Sequence, residues 1–408
     1  MKENSSRSFP IFTITEKGED FLDSGNNWVY ENEIISTNKE HENGDIVDVV
    51  SKKGKYLGTG FVSDASKIRI RIFSKNMNDI FDYDFFKRRI KYAIDYRLTV
   101  MDSIDSCRII FGEADGFPGL TVDKYNDVLV TQIATIGLDK RKDLIFKAML
   151  ECFKDYNILI NAIYERNDLN SRALDGLELY KGYYYTNDGF DFNAYETIIE
   201  ENGIKYYVDY VEGQKTGFFL DQKFNRALVG KIAHGKKVLD CFTHTGSFGL
   251  NCAKNGALKV VSVDISPLAI EQSKRNAKLN DLDDKIEYVK ADVFKYLDNE
   301  VKKREYDLII LDPPAFTKSR STIMAAYNGY KRINAKAMSL LGKGGYLVTC
   351  SCSHFMNEEL FVKMLLEAAK ENNMILKQIS YTQQGKDHPI LLSSNQTDYL
   401  KFYILQLM

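Results

Sequence analysis

Five short apolar runs, Lys237–Phe242, Val260–Ile265, Ile286–Ala291, Tyr306–Leu311 and Gly345–Cys350, alternate with helical periodicity at 246–254, 267–279, 293–303, 322–341 and 357–371. Strands that read as continuous apolar runs are buried on both faces, and strands separated by helices pair in parallel. From about residue 196 onward the pattern therefore predicts a Rossmann-like, doubly wound α/β sheet. Two later strand candidates, Ile375–Tyr381 and Tyr399–Met408, are read as an antiparallel hairpin at the sheet edge, joined by a short connection containing Gly and Pro.

The first half has a different grain. At 408 residues the chain exceeds one ordinary core, so two or three domains are expected. Residues 1–75 read as a small β domain, a barrel of short strands, in which Lys67 to Ile72 alternates a basic face with an apolar one. Residues 76–195 read as an α+β middle domain, opening with a helix from Tyr83 to Met101. The segment Gly112-Glu113-Ala114-Asp115-Gly116-Phe117-Pro118-Gly119 packs three glycines and a proline into a tight turn. Residues 196–408 form the third domain.

With a net charge of −2, the surface as a whole does not suit a polyanion, although Lys67, Arg69, Arg71, Lys75, Lys87, Arg88, Arg89, Lys91 and Arg97 offer a local basic patch. Either a solvated face or a nucleic-acid footprint would give that pattern. No apolar run approaches membrane-spanning length and no leader pattern opens the chain, so a cytoplasmic protein is expected. The six cysteines are scattered and have no zinc-ligand spacing, which points to reduced thiols and no metal.

Chemistry concentrates where the predicted strands end. Leu308-Ile309-Ile310-Leu311 stops at Asp312-Pro313-Pro314, and Gly345-Tyr346-Leu347-Val348 stops at Thr349-Cys350-Ser351-Cys352-Ser353. Ligands of open α/β sheets bind at the carboxyl ends of the strands, so a carboxylate and a thiol are expected to face one pocket. That pair suits attack on a pyrimidine, the thiol adding to carbon 6 while the acid holds the ring nitrogen edge. Earlier, Asp240-Cys241-Phe242-Thr243-His244-Thr245-Gly246 turns from a strand into a helix, with Gly246 alone surviving of a phosphate-cradling glycine pattern. Asp264 and Asp292 end the next two strands. One acid in such a place is commonly a helix cap, but three at successive strand ends fit a nucleoside without a pyrophosphate, and hence S-adenosylmethionine better than NAD.

The ordered set Val-Leu-Asp-Cys-Phe-x-x-Thr-Gly (238–246), Val-Val-Ser-Val-Asp (260–264), Asp-Val-Phe (292–294), Leu-Asp-Pro-Pro-x-Phe (311–316) and Ser-Cys-Ser (351–353) resembles the RlmI-like large-subunit ribosomal RNA cytosine-5 methyltransferases. Lys215 to Gln222, with Asn225 and Arg226, looks like the segment leading into that family's catalytic domain, and Gly112 to Gly119 like its middle-domain turn. Asn27-Trp28-Val29-Tyr30 with the basic strand at 67–71 is similar to its RNA-binding PUA domain. The resemblance implies a PUA domain, a middle domain of strands around a helix and a seven-stranded methyltransferase domain, often as a homodimer.

It also implies roles. Phe242 and Gly246 would line the methionine part of the cofactor, Asp264 would hold the ribose and Asp292 with Val293 the adenine, while Asp240, Thr243, Ile265, Asp312 and Pro313 would also bind it. Asp312 and Pro313 would flank the target base, with Pro314, Phe316, Lys215, Gln222, Arg69 and Arg71 on the RNA. A strand period of two puts Cys350 and Cys352 on one face, so spacing leaves both open as nucleophile; the resemblance selects Cys352. Ala315 and Phe316 stand where related cytosine methylases carry a second cysteine, so no base for the final proton is named. His244 replaces an expected Tyr and reads as a turn residue near the cofactor. The alternatives are a base-nitrogen methyltransferase (guanine N7 or adenine N6), which needs no nucleophile, and a non-catalytic RNA-binding assembly factor.

Overall fold

The structure, a computed structural model, describes residues 7–191, 195–299, 301–302, 304–317, 319–394 and 396–408. It divides into two compact units: Met1–Thr197 with Val208–Phe218 and Lys386–Thr397, and Ile198–Tyr207 with Phe219–Gly385 and Asp398–Met408.

The first unit holds two sheets. Six strands between Ile11 and Ser74 run in the spatial order Trp28–Tyr30, Ile68–Ser74, Tyr56–Val62, Ile46–Ser51, Ile11–Ile14, Ile34–Thr37. The two edge strands are consecutive in the chain and separated only by the 3-10 turn Glu31–Glu33. Three residues cannot span an open six-stranded sheet, so it must curl into a near-closed barrel around Phe12, Ile14, Val47, Val49, Val62 and Ile70. Gly60 permits the curl, because a Cβ there would lie 2.6 Å from the carbonyl oxygen of Arg71. The helix Glu16–Asp23, capped by the Thr15 side chain on Gly18 N–H, stands where the sequence suggests only strands and turns. Eight residues with Gly18 and Leu22 buried are too few to show a helical period.

The second sheet runs Tyr180–Thr186, Ala162–Asn167, Val128–Ile133, Leu120–Tyr125, Ser106–Phe111, with helices Tyr83–Val100 and Lys142–Asp155. The expected basic patch is largely dispersed. Arg97 is fully buried and pairs with Asp115, Lys87 pairs with Glu151 and Asp155, and the Arg89 guanidinium lies 4.4 Å from the Phe85 ring centroid.

The main sheet of the second unit has seven strands: β1 Lys237–Cys241, β2 Lys259–Asp264, β3 Ile286–Lys290, β4 Leu308–Leu311, β5 Tyr346–Ser351, β6 Leu376–Thr382 and β7 Lys401–Leu407. Their order is β3-β2-β1-β4-β5-β7-β6, with the first five parallel and β7 antiparallel to both neighbours. Helices α1 Ser247–Lys254, α2 Pro267–Leu279, α3 Val293–Asn299, α4 Ile323–Leu341 and α5 Glu358–Glu371 cross between them. The four side chains of β4 are wholly buried, each contributing roughly 1.5–3 kcal/mol of apolar burial. Chain direction reverses its progress across the sheet between β1 and β4, and Asp240, Asp264 and Asp312 lie at or just beyond the ends of β1, β2 and β4.

Two expectations change. The third helix ends at Asn299, and residues 300 and 303 of its expected span lie outside those described. The connection from β6 to β7 is not short: it runs from 383 to 400, and its Lys386–Thr397 belongs to the first unit.

Candidate active site

The turn from β1 into α1 is held in an uncommon backbone conformation. Phe242 (φ 63°) and His244 (φ 49°) both lie in the left-handed region, as does Gly246 (φ 80°). For residues with a Cβ this costs roughly 1–2 kcal/mol each. The neighbours compensate: Thr243 N–H donates to Val263 O (3.1 Å), His244 N–H to Asp264 Oδ2 (3.0 Å), Ser273 Oγ to His244 O (2.6 Å) and Asn276 Nδ2 to Thr245 O (2.9 Å). The His244 ring meets Phe219 edge to face at 5.0 Å. His244 is thus a turn residue with its backbone fixed by β2 and α2.

Asp240 is buried beneath that turn. Its Oδ2 accepts from Gly249 N–H (3.0 Å) and the Thr243 hydroxyl, whereas nothing among the described residues donates to Oδ1. Burial pushes its carboxyl up to about 7 against the pull of those two donors, with Asp312 and Asp264 adding repulsion. Asp264 is clamped by His244 N–H on one oxygen and Ser266 N–H (2.9 Å) on the other, and Ile265 beside it is 63% exposed.

Past β3, Asp292 serves as a helix cap. Asp292 Oδ1 accepts from Lys295 N–H (3.0 Å) and so caps α3. Val293 is buried in the core beside Leu297, which leaves its main chain, not its side chain, for any ligand.

Asp312 is set by β5 and by the segment ahead of β1. Leu311 pairs with Thr349, so the acid follows β4 alongside Cys350, whose thiol donates to Asp312 Oδ1 at 2.8 Å. Gln222 Nε2 approaches the same oxygen at 3.4 Å and the Cys350 sulfur at 3.6 Å. The amide orientation is fixed in turn: Asn225 Nδ2 donates to Gln222 Oε1 (2.7 Å), and the Thr382 hydroxyl donates to Asn225 Oδ1 (2.7 Å). Arg226 anchors the segment with a buried pair to Glu201 and a bond to Phe219 O (2.8 Å). Gln222 is buried and oriented toward Asp312.

The two cysteines that the strand period left equivalent differ in environment. Cys350 is buried, and burial followed by the Asp312 charge pushes its thiol well above the ordinary range, so it stays a donor. Cys352 lies one residue past β5 and is part-exposed. Beneath it, Ser353 and Ser351 bond to the Tyr330 hydroxyl (3.1 and 3.0 Å), and Phe316 packs on the Tyr330 ring at 4.5 Å. Pro313 is buried and Pro314 exposed. Gln222, Asn225, Thr382 and Tyr330 are partners that sequence order does not associate, since their hydrogen bonds to one another and to the site span up to 157 positions.

Three residues expected on the RNA lie in the first unit. Lys215 is exposed at φ 53°. Arg69 is drawn to Glu31 (2.7 Å) and Asp64 (3.2 Å), and Arg71 to the buried Asp175 (3.2 Å). Both guanidinium groups on the basic face of that strand thus take part in ion pairs within the first unit.

Residues 187–388 match the S-adenosylmethionine-dependent methyltransferase family, and residues 12–75 the PUA-like domain family. The chain is 39% identical over 94% of its length to "Ribosomal RNA large subunit methyltransferase I" of Shewanella amazonensis, covering 96% of that protein. It is 38% identical over 92% of its length to the protein of the same name from Aliivibrio fischeri strain MJ11, covering 93% of it. Among solved structures, a putative SAM-dependent methyltransferase from Streptococcus mutans superposes with a TM-score of 0.79 at 22% identity, over 97% of this chain and 99% of that one. Another, a putative methyltransferase complexed with SAH, gives 0.81 at 22% identity and the same coverage. The fold, the acids at the strand ends and the near full-length likeness agree, and the chain belongs to the ribosomal RNA large subunit methyltransferase I family of enzymes, whose cofactor is S-adenosylmethionine.

Proposed function

We propose that the protein methylates carbon 5 of a cytosine in large-subunit (23S) ribosomal RNA, with Cys352 as a covalent nucleophile. The observation that carries this reading is the contrast between the two cysteines: Cys350 is a buried donor to Asp312, and Cys352 is the part-exposed thiol at the same strand end. When bound, S-adenosylmethionine supplies an electrophilic methyl group. The residues at β1 to β3 fit it. Asp264 is pre-positioned to accept from a ribose diol, exposed Ile265 offers an apolar face, and the partnerless Asp240 Oδ1 suits a cationic donor.

Cys352, as thiolate, adds to carbon 6 of the cytosine, and the ring electron pair shifts to carbon 5, making it the nucleophile. Asp312, supported by two donors on Oδ1, holds the ring nitrogen edge as charge develops. Once carbon 5 carries the methyl group, loss of its proton expels the Cys352 sulfur and restores the ring. Pro314 and Phe316 would frame the base, and Lys215 would meet the RNA backbone. The relatives' names support the RNA class, and the PUA-like domain supports RNA binding. A homodimer acting in the cytoplasm before the ribosomal subunit is fully assembled completes the proposal; among the described residues no helix is long and apolar enough to cross a membrane.

The test is methyl transfer to unmodified large-subunit RNA, with product bases identified by mass. Cys352→Ala should lose transfer by about 10³-fold or more, as loss of a covalent nucleophile does. Cys350→Ala should lose far less, about the 3- to 10-fold that one hydrogen bond to Asp312 is worth. A Cys352→Ala enzyme with full activity, or a product methylated at guanine N7 or adenine N6, would replace this reading with non-covalent transfer to a ring or exocyclic nitrogen.

A further inference from the structure

Lys401 opens β7 opposite Ser351 of β5, and only 4% of its surface is exposed. Its ammonium donates to Ser353 O and Tyr399 O, both at 2.8 Å, and no carboxylate pairs with it among the described residues. Stripping water from a cation costs several kcal/mol, and two neutral carbonyls return only part of that. A Lys buried for packing alone is better replaced by an apolar residue, yet this one is held on the carbonyl of the residue that follows Cys352. Burial pulls the amine down to about 8, and Asp398, Cys352 and Cys350 each act on it in the opposite sense when charged. Such coupling is reciprocal: a thiolate that favours the ammonium is favoured by it to the same extent.

We propose that Lys401 is the positioning residue that makes Cys352 a thiolate at neutral pH, its charge held in place by the carbonyls of Ser353 and Tyr399. This rests on Cys352 being the nucleophile and supplies what that role lacks, since an ordinary thiol near 8.5 is only a few per cent ionised at pH 7. Among the described residues, the other titratable groups that act on the pair work against a thiolate or are neutral. Asp398 precedes β7, Cys350 stays protonated on β5, Asp312 follows β4, and burial pushes the Tyr330 hydroxyl on α4 up to about 12. Set against these groups, Lys401 supplies positive charge that favours the thiolate. No proton need pass between the two side chains: the thiol releases its proton to water, and the ammonium stabilises what is left.

The test is the pH dependence of iodoacetamide alkylation at Cys352 in the full-length protein, read on the Cys352 peptide by mass spectrometry. Lys401→Gln keeps a donor for the carbonyls and removes the charge; Lys401→Met removes both; Lys401→Arg keeps the charge. The midpoint should rise by about one pH unit or more in the Gln and Met variants and stay near wild type in the Arg variant. S-adenosylhomocysteine binding and thermal unfolding report that each variant is folded, and should the Met variant fail to fold, the Gln variant decides. Superimposable profiles for wild type and folded Lys401→Gln would overturn the proposal. The nucleophile assignment fails separately, through an active Cys352→Ala enzyme, whatever the alkylation profiles show.

Discussion

Asp312 presents its carboxylate to the pocket with its orientation already settled from behind. Cys350 and Gln222 both donate to Oδ1, and Gln222 is locked by Asn225 and Thr382. A group fixed this way need not reorganise as charge develops on a substrate. Gln222→Ala should therefore lower kcat about 3- to 10-fold, the worth of one ordinary hydrogen bond, with little change in KM for RNA, as single-turnover and steady-state rates will show. Gln222→Glu should be more damaging, because it sets a second carboxylate against Asp312. The carboxylate and the thiol of this site are legible in the sequence, because a reactive residue at a strand end announces itself. The glutamine is not. Its type suits either a surface or a core, and only the fold shows that Asn225, itself held by Thr382, points its amide.

The β1 to α1 turn shows how far an element can be read before its geometry is known. Gly246 is identifiable as the point of close backbone approach, and the structure gives it φ 80° with an added Cβ only 3.1 Å from the Ser273 Cβ. Gly246→Ala should destabilise the second unit by about 1–2 kcal/mol and weaken S-adenosylhomocysteine binding, measured by denaturant unfolding and by calorimetry. That Phe242 lies in the left-handed region has no sequence signature, and for His244 the signature is only the modest enrichment of its residue type there. They are kept there by hydrogen bonds from β2 and α2, which a local pattern does not contain. The strand and helix bounds of the same unit follow the apolar periodicity within a few residues, because its central strands β1, β4 and β5 are buried on both faces and each helix must cover one. The weakest element readings fall where that pressure is absent, in the eight-residue helix Glu16–Asp23 and in the long β6 to β7 connection.

Across the whole molecule, sequence neighbourhood and structural membership part company at Lys386–Thr397. This stretch lies between two strands of the second unit and yet belongs to the first. Its Asp387 is almost wholly buried, bonding Arg108 N–H (2.9 Å) and pairing with His388 (2.9 Å), while its carbonyl accepts from the buried Arg97 (2.8 Å). Polar residues in a loop-like run give no sign of such burial, which is why the connection reads as a short surface turn. Burial alone would raise the Asp387 carboxyl, but the His388 charge and the Arg108 bond outweigh it and hold the group below its ordinary value. A folded-state value below the unfolded one stabilises above the unfolded value, about 3.9, and that stability is lost as pH falls through the folded value. Asp387→Asn takes the charged acceptor from the Arg108 N–H and the His388 ring and should cost about 3 kcal/mol at pH 7. Amide exchange should report the loss first in Ser106–Phe111, whose Arg108 N–H is the bonded donor, and later in β5 of the second unit. As the buffer is taken below pH 4, wild type should lose its advantage and the two unfolding curves should converge. A gap that stays constant down to pH 3 would place the stabilisation in packing, with no part for the carboxylate charge.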